Sequence, residues 1–429
     1  MKKGFWIVFL LFCGTLIAQK TVIDTSNSGY KSTLISYYEN QILKTKALIE
    51  KIDDRKIRKQ FIENYTQNTT DFKALIKKGI FIEHESYSDL VQNIFQTIKK
   101  NNSGYNFDEI KILLSVNKEI NAYNSGDGIV VLNLPIIYNI KNQYELAFVL
   151  CHEISHQKLN HVYNHIYKSC TLENSAEIKN KTQQIDKQKY NKGALASELF
   201  KKIVYGSRKA SRQNEKSADS LGYILFKNSY PEYDSYAVET LRTLKKIDIV
   251  KDSLQQIDFE KLFETPSLKF KTDWLISDLS NYNYQKAKRF WDVDSLRTHP
   301  DCDQRILHLQ KAFKIQEKNK SFDASVFNNS RKNAGYEAVF ELYFLEDYGN
   351  SLYETLLQLK KNPVDLFYRK MVYDNLLKLQ VARNNYTLNR FLETENPKFT
   401  QSYNQFLCLI RNLRKTEMNE FITYYKSKL

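Results

Sequence analysis

Beyond residue 18 the chain has no apolar run approaching the roughly 20 residues a helix needs to cross a bilayer, so nothing after the N-terminus is expected to span a membrane. It also lacks a dense basic tract. Lysine and arginine outnumber aspartate and glutamate 64 to 49, a formal net charge of +15. The excess is spread along the chain and no nucleic-acid-binding motif accompanies it, which excludes nucleic acid as an expected partner. A diffuse positive charge would favour an anionic membrane surface; a lysine-rich composition of the host accounts for it equally well. Histidine is scarce, 7 in 429 residues, so a cluster of histidines carries information. Beyond Cys13 the cysteines are Cys151, Cys170, Cys302 and Cys408, which allow three complete pairings that the sequence does not decide between.

The N-terminus has a pattern of its own. Lys2 and Lys3 precede an apolar run from Phe5 to Ile17 that ends at the small residue Ala18. A charged segment, an apolar segment and a small residue at a cleavage point predict a signal peptide over residues 1–18. The run is short for a membrane span, and the bulky Phe12 before Cys13 argues against a lipid anchor. Export is expected, into a compartment that permits disulfides.

Three of the histidines fall within residues 151–161, Cys-His-Glu-Ile-Ser-His-Gln-Lys-Leu-Asn-His. His152 and His156 are four apart and share a helix face. Two imidazoles one turn apart can grip a zinc ion, and Glu153 can reach a water bound to it. This is the arrangement a zinc peptidase needs; the plainer reading is a polar helix with two surface histidines. The preceding segment is apolar at helical spacing through Leu146, Val149 and Leu150, without proline or glycine, which sets the motif in a helix with a buried face. Zinc needs a third protein ligand and keeps a fourth position open. In one zincin branch that ligand is a histidine six residues past the second, with glycine between; here those positions hold Val162 and Leu159. His161, five residues past His156, is rotated well off the ligand face and is expected to be a surface or packing residue. A better candidate lies on a second helix over residues 211–226, where Glu215 and Asp219 are four apart. Glu215 can complete a His-His-Glu site, and Asp219 can hold a ligand histidine by its outer ring nitrogen. A solvated helix with acids among lysines is the alternative.

Elsewhere the pattern is mostly helical. Residues 31–78 carry apolar positions at helical spacing (Leu34, Ile35, Tyr38, Ile42, Leu48), and residues 87–99 repeat the pattern. Residues 110–116 read as a strand, and Gly126 and Gly128 turn into a second strand over Ile129–Leu132. The polar, lysine-rich segment 171–193 is expected to form an extension or lid between the two metal helices. Beyond about residue 325 the chain reads as helical hairpins, with Tyr336, Val339, Phe340, Tyr343 and Phe344 on one helix and Leu352, Leu356, Leu357 and Leu359 on another. Asn362-Pro363 and Asn396-Pro397 stand 34 residues apart, the period of tetratricopeptide repeats, although the rest of that signature is poor.

Four blocks in this order resemble the HtpX-type and CAAX-prenyl-protease-type zinc metallopeptidases, in layout most nearly the soluble periplasmic BepA-like members. Residues 121–133 are similar to the family's edge strand, 145–156 to its metal helix, 215–219 to its third-ligand helix, and 298–305 (Thr-His-Pro-Asp-Cys-Asp-Gln-Arg) to its His-Pro…Arg block. Ser155 stands where the family usually has glycine and Cys151 where alanine is frequent; both are small.

The resemblance implies an α+β, mostly α-helical fold: a zincin-like metallopeptidase domain with a small β-sheet over residues 19–324, then an all-helical, tetratricopeptide-like domain over 325–429. It implies one Zn²⁺ per chain held by His152, His156 and Glu215, with Glu153 as the base and Asp219 behind a ligand histidine. It nominates His299 either as a donor to the oxyanion or as a cap on the metal that keeps the enzyme latent, and Arg305 as the residue that orients His299 or the substrate. An extended peptide would pair with the strand at Asp127, Gly128, Ile129, Val130 and Val131. The implied function is a zinc-dependent endopeptidase of the cell envelope, acting on protein and peptide substrates in quality control, with residues 325–429 engaging outer-membrane assembly partners. The alternatives are an exported chaperone or assembly factor with secondary proteolysis, and a secreted nutritional peptidase.

Overall fold

A computed structural model describes residues 27–249, 254–276, 302–315, 319–396 and 399–429; the expected signal peptide and His299 lie outside them. The long helical stretch near the N-terminus is two helices, α1 (Ser28–Ile49) and α2 (Arg55–Lys78). The chain breaks where the Asp54 carboxylate accepts hydrogen bonds from the amides of Lys56 and Ile57, satisfying donors that a helix start leaves without partners. A third helix, α3, spans Glu85–Asn101.

Four strands form one sheet: β1 (Phe81–Ile82), β2 (Lys111–Ser115), β3 (Ala122–Gly126) and β4 (Ile129–Asn133), in the order β1-β2-β4-β3. β4 runs parallel to β2, with Lys111 opposite Ile129 and Ser115 opposite Asn133, and antiparallel to β3, with Ala122 opposite Leu132. All five β4 residues are buried. Its unbroken Ile-Val-Val-Leu run is what a strand covered on both faces requires. Val130 and Leu132 face one core with Ile112 and Leu114, while Ile129 and Val131 face another with Leu113 and helices α1 and α2. The β3–β4 turn needs its glycine: Gly128 has φ +75°, and a Cβ there would meet the Glu109 carbonyl oxygen at 1.9 Å.

After β4 come α4 (Leu134–Asn139), α5 (Gln143–Lys158), α6 (His161–Asn174), α7 (Ala176–Lys187), α8 (Lys192–Ser229), α9 (Tyr236–Ile249), α10 (Gln256–Leu262) and α11 (Cys302–Ala312). The sheet face bearing Val130 packs on α3 and α5, and α8 packs in turn on both helices. The lysine-rich segment 171–193 is helical, and α7 has no buried residue. The chain ends in α12 (Ser325–Phe344), α13 (Tyr348–Lys361), α14 (Leu366–Asn384), α15 (Leu388–Phe391), α16 (Gln401–Asn412) and α17 (Lys415–Ser427). The fold is α+β and mostly helical.

The packing does not divide at residue 325. Phe259, Phe263 and Trp274 belong to the C-terminal core, because Phe263 and Trp274 both lie edge-on to Phe421 of α17. Conversely, Phe327 and Ala334 of α12 are buried in the core of the sheet domain. α12 therefore joins the two cores. The C-terminal pairs are also unequal: α15 is only four residues long, too short for the second helix of a regular repeat. Cys151, Cys170, Cys302 and Cys408 are buried thiols that form no disulfide among the described residues. Within those residues no helix is long and apolar enough to cross a membrane.

Candidate metal centre

The motif sits on α5, and its burial exceeds the single stripe that the sequence shows. Every residue from Tyr144 to Ser155 is buried, because the helix is enclosed by the sheet, α3, α8 and α9. Asn142 caps its start, accepting from the amides of Tyr144 and Glu145. The buried Glu145 carboxylate accepts from the Lys141 amide at 2.9 Å and the Thr243 hydroxyl at 3.2 Å. Ser155, small and fully buried, donates back to the Cys151 carbonyl at 2.7 Å.

α8 crosses α5 with almost no space between backbones. A Cβ on Gly222 would lie 3.1 Å from both Cα and N of His152. Asp219 and Glu215 lie one and two turns before Gly222 on the same helix face, so the close crossing carries both carboxylates to the histidines. His152 Nε2 and His156 Nε2 are 3.1 Å apart. The two oxygens of Glu215 stand 3.4 Å from His152 Nε2 and 3.4 Å from His156 Nε2. Ligand atoms held about 2.0–2.2 Å from a tetrahedral zinc are separated by about 3.3–3.6 Å. Two imidazoles and one carboxylate at this spacing fit zinc with a fourth position left open. Among the described residues these three form the group of side chains close enough to hold a metal. Glu153 Oε1 lies 4.0 Å from His152 Nε2, on the same buried helix but with its carboxylate outside the ligand triangle.

The outer nitrogen of His152 is held by charge. Its Nδ1 lies 3.0 Å from Asp219 Oδ1, and Asp219 takes two hydrogen bonds from Arg305, from Nε at 2.8 Å and from Nη2 at 2.5 Å. Burial raises the Asp219 carboxyl, but Arg305 outweighs burial and holds it down at about 2. The two histidines of the cluster move in opposite directions. Burial and the Arg305 charge lower His152, and the Asp219 and Glu215 carboxylates overcome them and raise it to about 10. Burial and the neighbouring His152 lower His156 to about 3. The lowering of His156 agrees with a neutral ligand; the proton on His152 is one that a metal would displace.

The expectation for Arg305 is corrected. Arg305 does not face a substrate: it is buried on α11 behind the ligands, bonded to Asp219 and 3.6 Å from Glu215. Its role is to neutralise and hold the carboxylates. Of the two places expected for His161, surface or packing, it takes the packing one. It is buried, with its Nδ1 3.0 Å from His156 Nδ1. The helical angle that turned it away assumed one continuous helix, but Asn160 takes the left-handed conformation and starts a new one.

The peptide-pairing expectation for Asp127, Gly128, Ile129, Val130 and Val131 is also not met. β4 lies between β2 and β3, so both of its edges are already paired. The edge strands are β1, Phe81–Ile82, and β3, Ala122–Gly126, and of the two β3 is the one beside α5. Asp127, at φ +54°, turns its carboxylate toward the N-terminal helices, where Thr45 and Tyr65 donate to it at 2.5 and 2.9 Å. Ser217 and Gly222 were passed over in the sequence, although a glycine seven residues past Glu215 and three past Asp219 falls on the ligand face of α8.

No curated protein matches the chain. The model of peptidase family M48 matches residues 87–313, a span of more than half the chain that begins in α3 and ends just past α11, and it encloses every element that builds the site. The chain belongs to peptidase family M48, and it is a metallopeptidase.

Proposed function

We propose that this metallopeptidase is an endopeptidase acting on exported proteins of the cell envelope, in quality control, with His152, His156 and Glu215 as its zinc ligands and Glu153 as its base. The observation that carries the site assignment is the triangle of His152, His156 and Glu215 at 3.1–3.4 Å with a second carboxylate beside it. Zinc held there supplies a Lewis acid for the scissile carbonyl and lowers the pKa of water from about 15.7 towards 7. Glu153 takes the proton from the attacking water and hands it to the leaving amine. Asp219 and Arg305 keep the His152 ring oriented. β3, an edge of the sheet and a neighbour of α5, offers backbone groups along which an extended peptide can align. Export is supported by Lys2, Lys3 and the apolar run that follows.

The test is Glu153→Gln in the full chain. The variant is expected to retain zinc and to lose cleavage of an unfolded protein such as casein. Turnover near that of the parent would show that another group serves as base. The exported-chaperone reading draws on the second core, built by α13–α17 with Phe259, Phe263, Trp274 and part of α12; it requires that Glu153→Gln still restore envelope assembly in a strain lacking the protein, whereas the protease reading requires that it fail.

A further inference from the structure

The two ligand histidines are supported in different ways. His152 leans on an ion pair, whereas His156 leans on a chain of neutral groups. Asn160, at φ +51°, ends α5 and folds His161 back onto His156. The Nδ1 atoms of His156 and His161 are 3.0 Å apart. On its other side, His161 Nε2 lies 3.2 Å from the hydroxyl of Ser217. Ser217 is on α8, two residues past Glu215, and it reaches the backbone carbonyls of Asn214 at 2.9 Å and Gln213 at 3.2 Å.

Hydrogen-bond direction along this chain follows from its end. A backbone carbonyl can only accept. Ser217 donates to Asn214, its shortest contact, which leaves an oxygen lone pair for the Nε2–H of His161. With its hydrogen on Nε2, His161 carries its lone pair on Nδ1. That lone pair accepts the Nδ1–H of His156, and the free lone pair of His156 is then on Nε2, the atom facing His152 and Glu215. The opposite direction would put a hydrogen on His156 Nε2 and block a metal.

We propose that His161 is a positioning residue: together with Ser217 it fixes the metal-binding tautomer and the ring orientation of His156, and it ties that ligand to α8, the helix carrying Glu215. The proposal rests on the zinc reading of the site. It makes the second ligand depend on the α5–α6 break, since a continuous helix would carry His161 away.

The test measures zinc affinity of the full-length chain by competition with a chromophoric chelator. His161→Phe keeps a buried ring and removes both nitrogens; it is expected to weaken zinc binding about 10–100-fold, as loss of the partner behind a ligand histidine does. His161→Asn sets a carbonyl oxygen near the Nδ1 position and is expected to recover most of that loss. In the metal-free parent, the imidazole ¹⁵N shifts of His156 should report the hydrogen on Nδ1. Parental affinity in a folded His161→Phe overturns the proposal, as does equal loss in His161→Asn and His161→Phe, which would assign the effect to ring volume. If His161→Phe does not fold, Ser217→Ala decides: it removes one hydroxyl and is expected to weaken zinc, and parental affinity overturns the proposal. A parent that binds no zinc overturns the metal reading and this proposal together; a parent that binds zinc beside an unimpaired His161→Phe overturns this proposal alone.

Discussion

Adding one methyl group at Gly222 should damage the metal site without touching a ligand. The new Cβ would sit 3.1 Å from Cα and N of His152 and 3.3 Å from the carbonyl carbon of Cys151. Ordinary carbon contacts lie at about 3.5–4.0 Å, so α5 and α8 must give by a few tenths of an ångström. All three obstructing atoms are backbone, and no side-chain rotation can clear them. Alanine in place of an interior helix glycine otherwise gains about 0.5–1 kcal/mol. Overpacking a tight core costs about 1–3 kcal/mol. The second effect is larger, and the expected net loss is up to about 2 kcal/mol. Zinc binding should suffer more than stability. Glu215 moves with Gly222 on α8, His152 stays on α5, and a metal site tolerates errors of only about 0.2 Å in its ligand distances. Gly222→Ala is therefore expected to weaken zinc by on the order of tenfold or more, as other faults in the support of a ligand do, and to lower the melting temperature of the metal-free protein by a few degrees. Gly193→Ala is the control: it lies on the same helix with nothing within 4 Å of its added Cβ, and it should leave both quantities unchanged or slightly raise stability. Chelator competition and thermal melts on the two variants decide the matter. Parental zinc affinity and an unchanged or raised melting temperature in Gly222→Ala would refute the reasoning, because the crossing would then have slack.

Further outcomes follow from other contacts. Arg305→Met leaves the fully buried Asp219 carboxylate without its two-pronged partner and should cost about 3–5 kcal/mol in urea denaturation of the metal-free protein; a loss under about 1 kcal/mol would remove the pair from the account of stability. Asp127→Ala removes the acceptor shared by Thr45 and Tyr65 and should cost about 2 kcal/mol or more, whereas Asp127→Asn, which tolerates the left-handed backbone, should cost less; equal losses would contradict this. Stripping the metal with a chelator should lower the melting temperature, since zinc at about 1,000 times its Kd adds about 4 kcal/mol of stability, and His156→Ala should show no such dependence on zinc.

The proposed ligands were legible because their chemistry is local. His152 with His156, and Glu215 with Asp219, each obey a four-residue helical spacing that needs no knowledge of the rest of the fold. The strands over 111–115 and 129–133 were legible for the same reason, from short apolar runs bounded by turn residues. The identity of the edge strand beside α5 was not, although the signal was present. β4 is apolar through its first four residues and reads as an inner strand, whereas Ala-Tyr-Asn-Ser-Gly of β3 is more polar, as suits an edge. Arg305 was assigned through its neighbour in sequence, His299. Its actual partners, Asp219 and Glu215, lie more than 80 residues away on another helix, a separation that spacing rules do not cross.

What remained hidden is carried by residues with no catalytic chemistry. The distance between α5 and α8 is set where a glycine has no side chain, and the place of His161 is set where an asparagine tolerates φ +51°. Both act by geometry: one lets two backbones meet, and the other ends a helix one residue before a histidine. Ligand identity can therefore be preserved while the site fails. A chain with His152, Glu153, His156 and Glu215 intact, but with a bulky residue at 222 or a β-branched residue at 160, would still carry the full motif and should bind zinc poorly. Asn160→Val puts this to the test. A β-branched side chain strongly disfavours the left-handed conformation, so α5 should extend past Leu159 and draw His161 away from His156. Zinc affinity should fall although every ligand and the base remain. Parental affinity in Asn160→Val would show that the α5–α6 break is imposed by packing around it and does not depend on the residue at its centre.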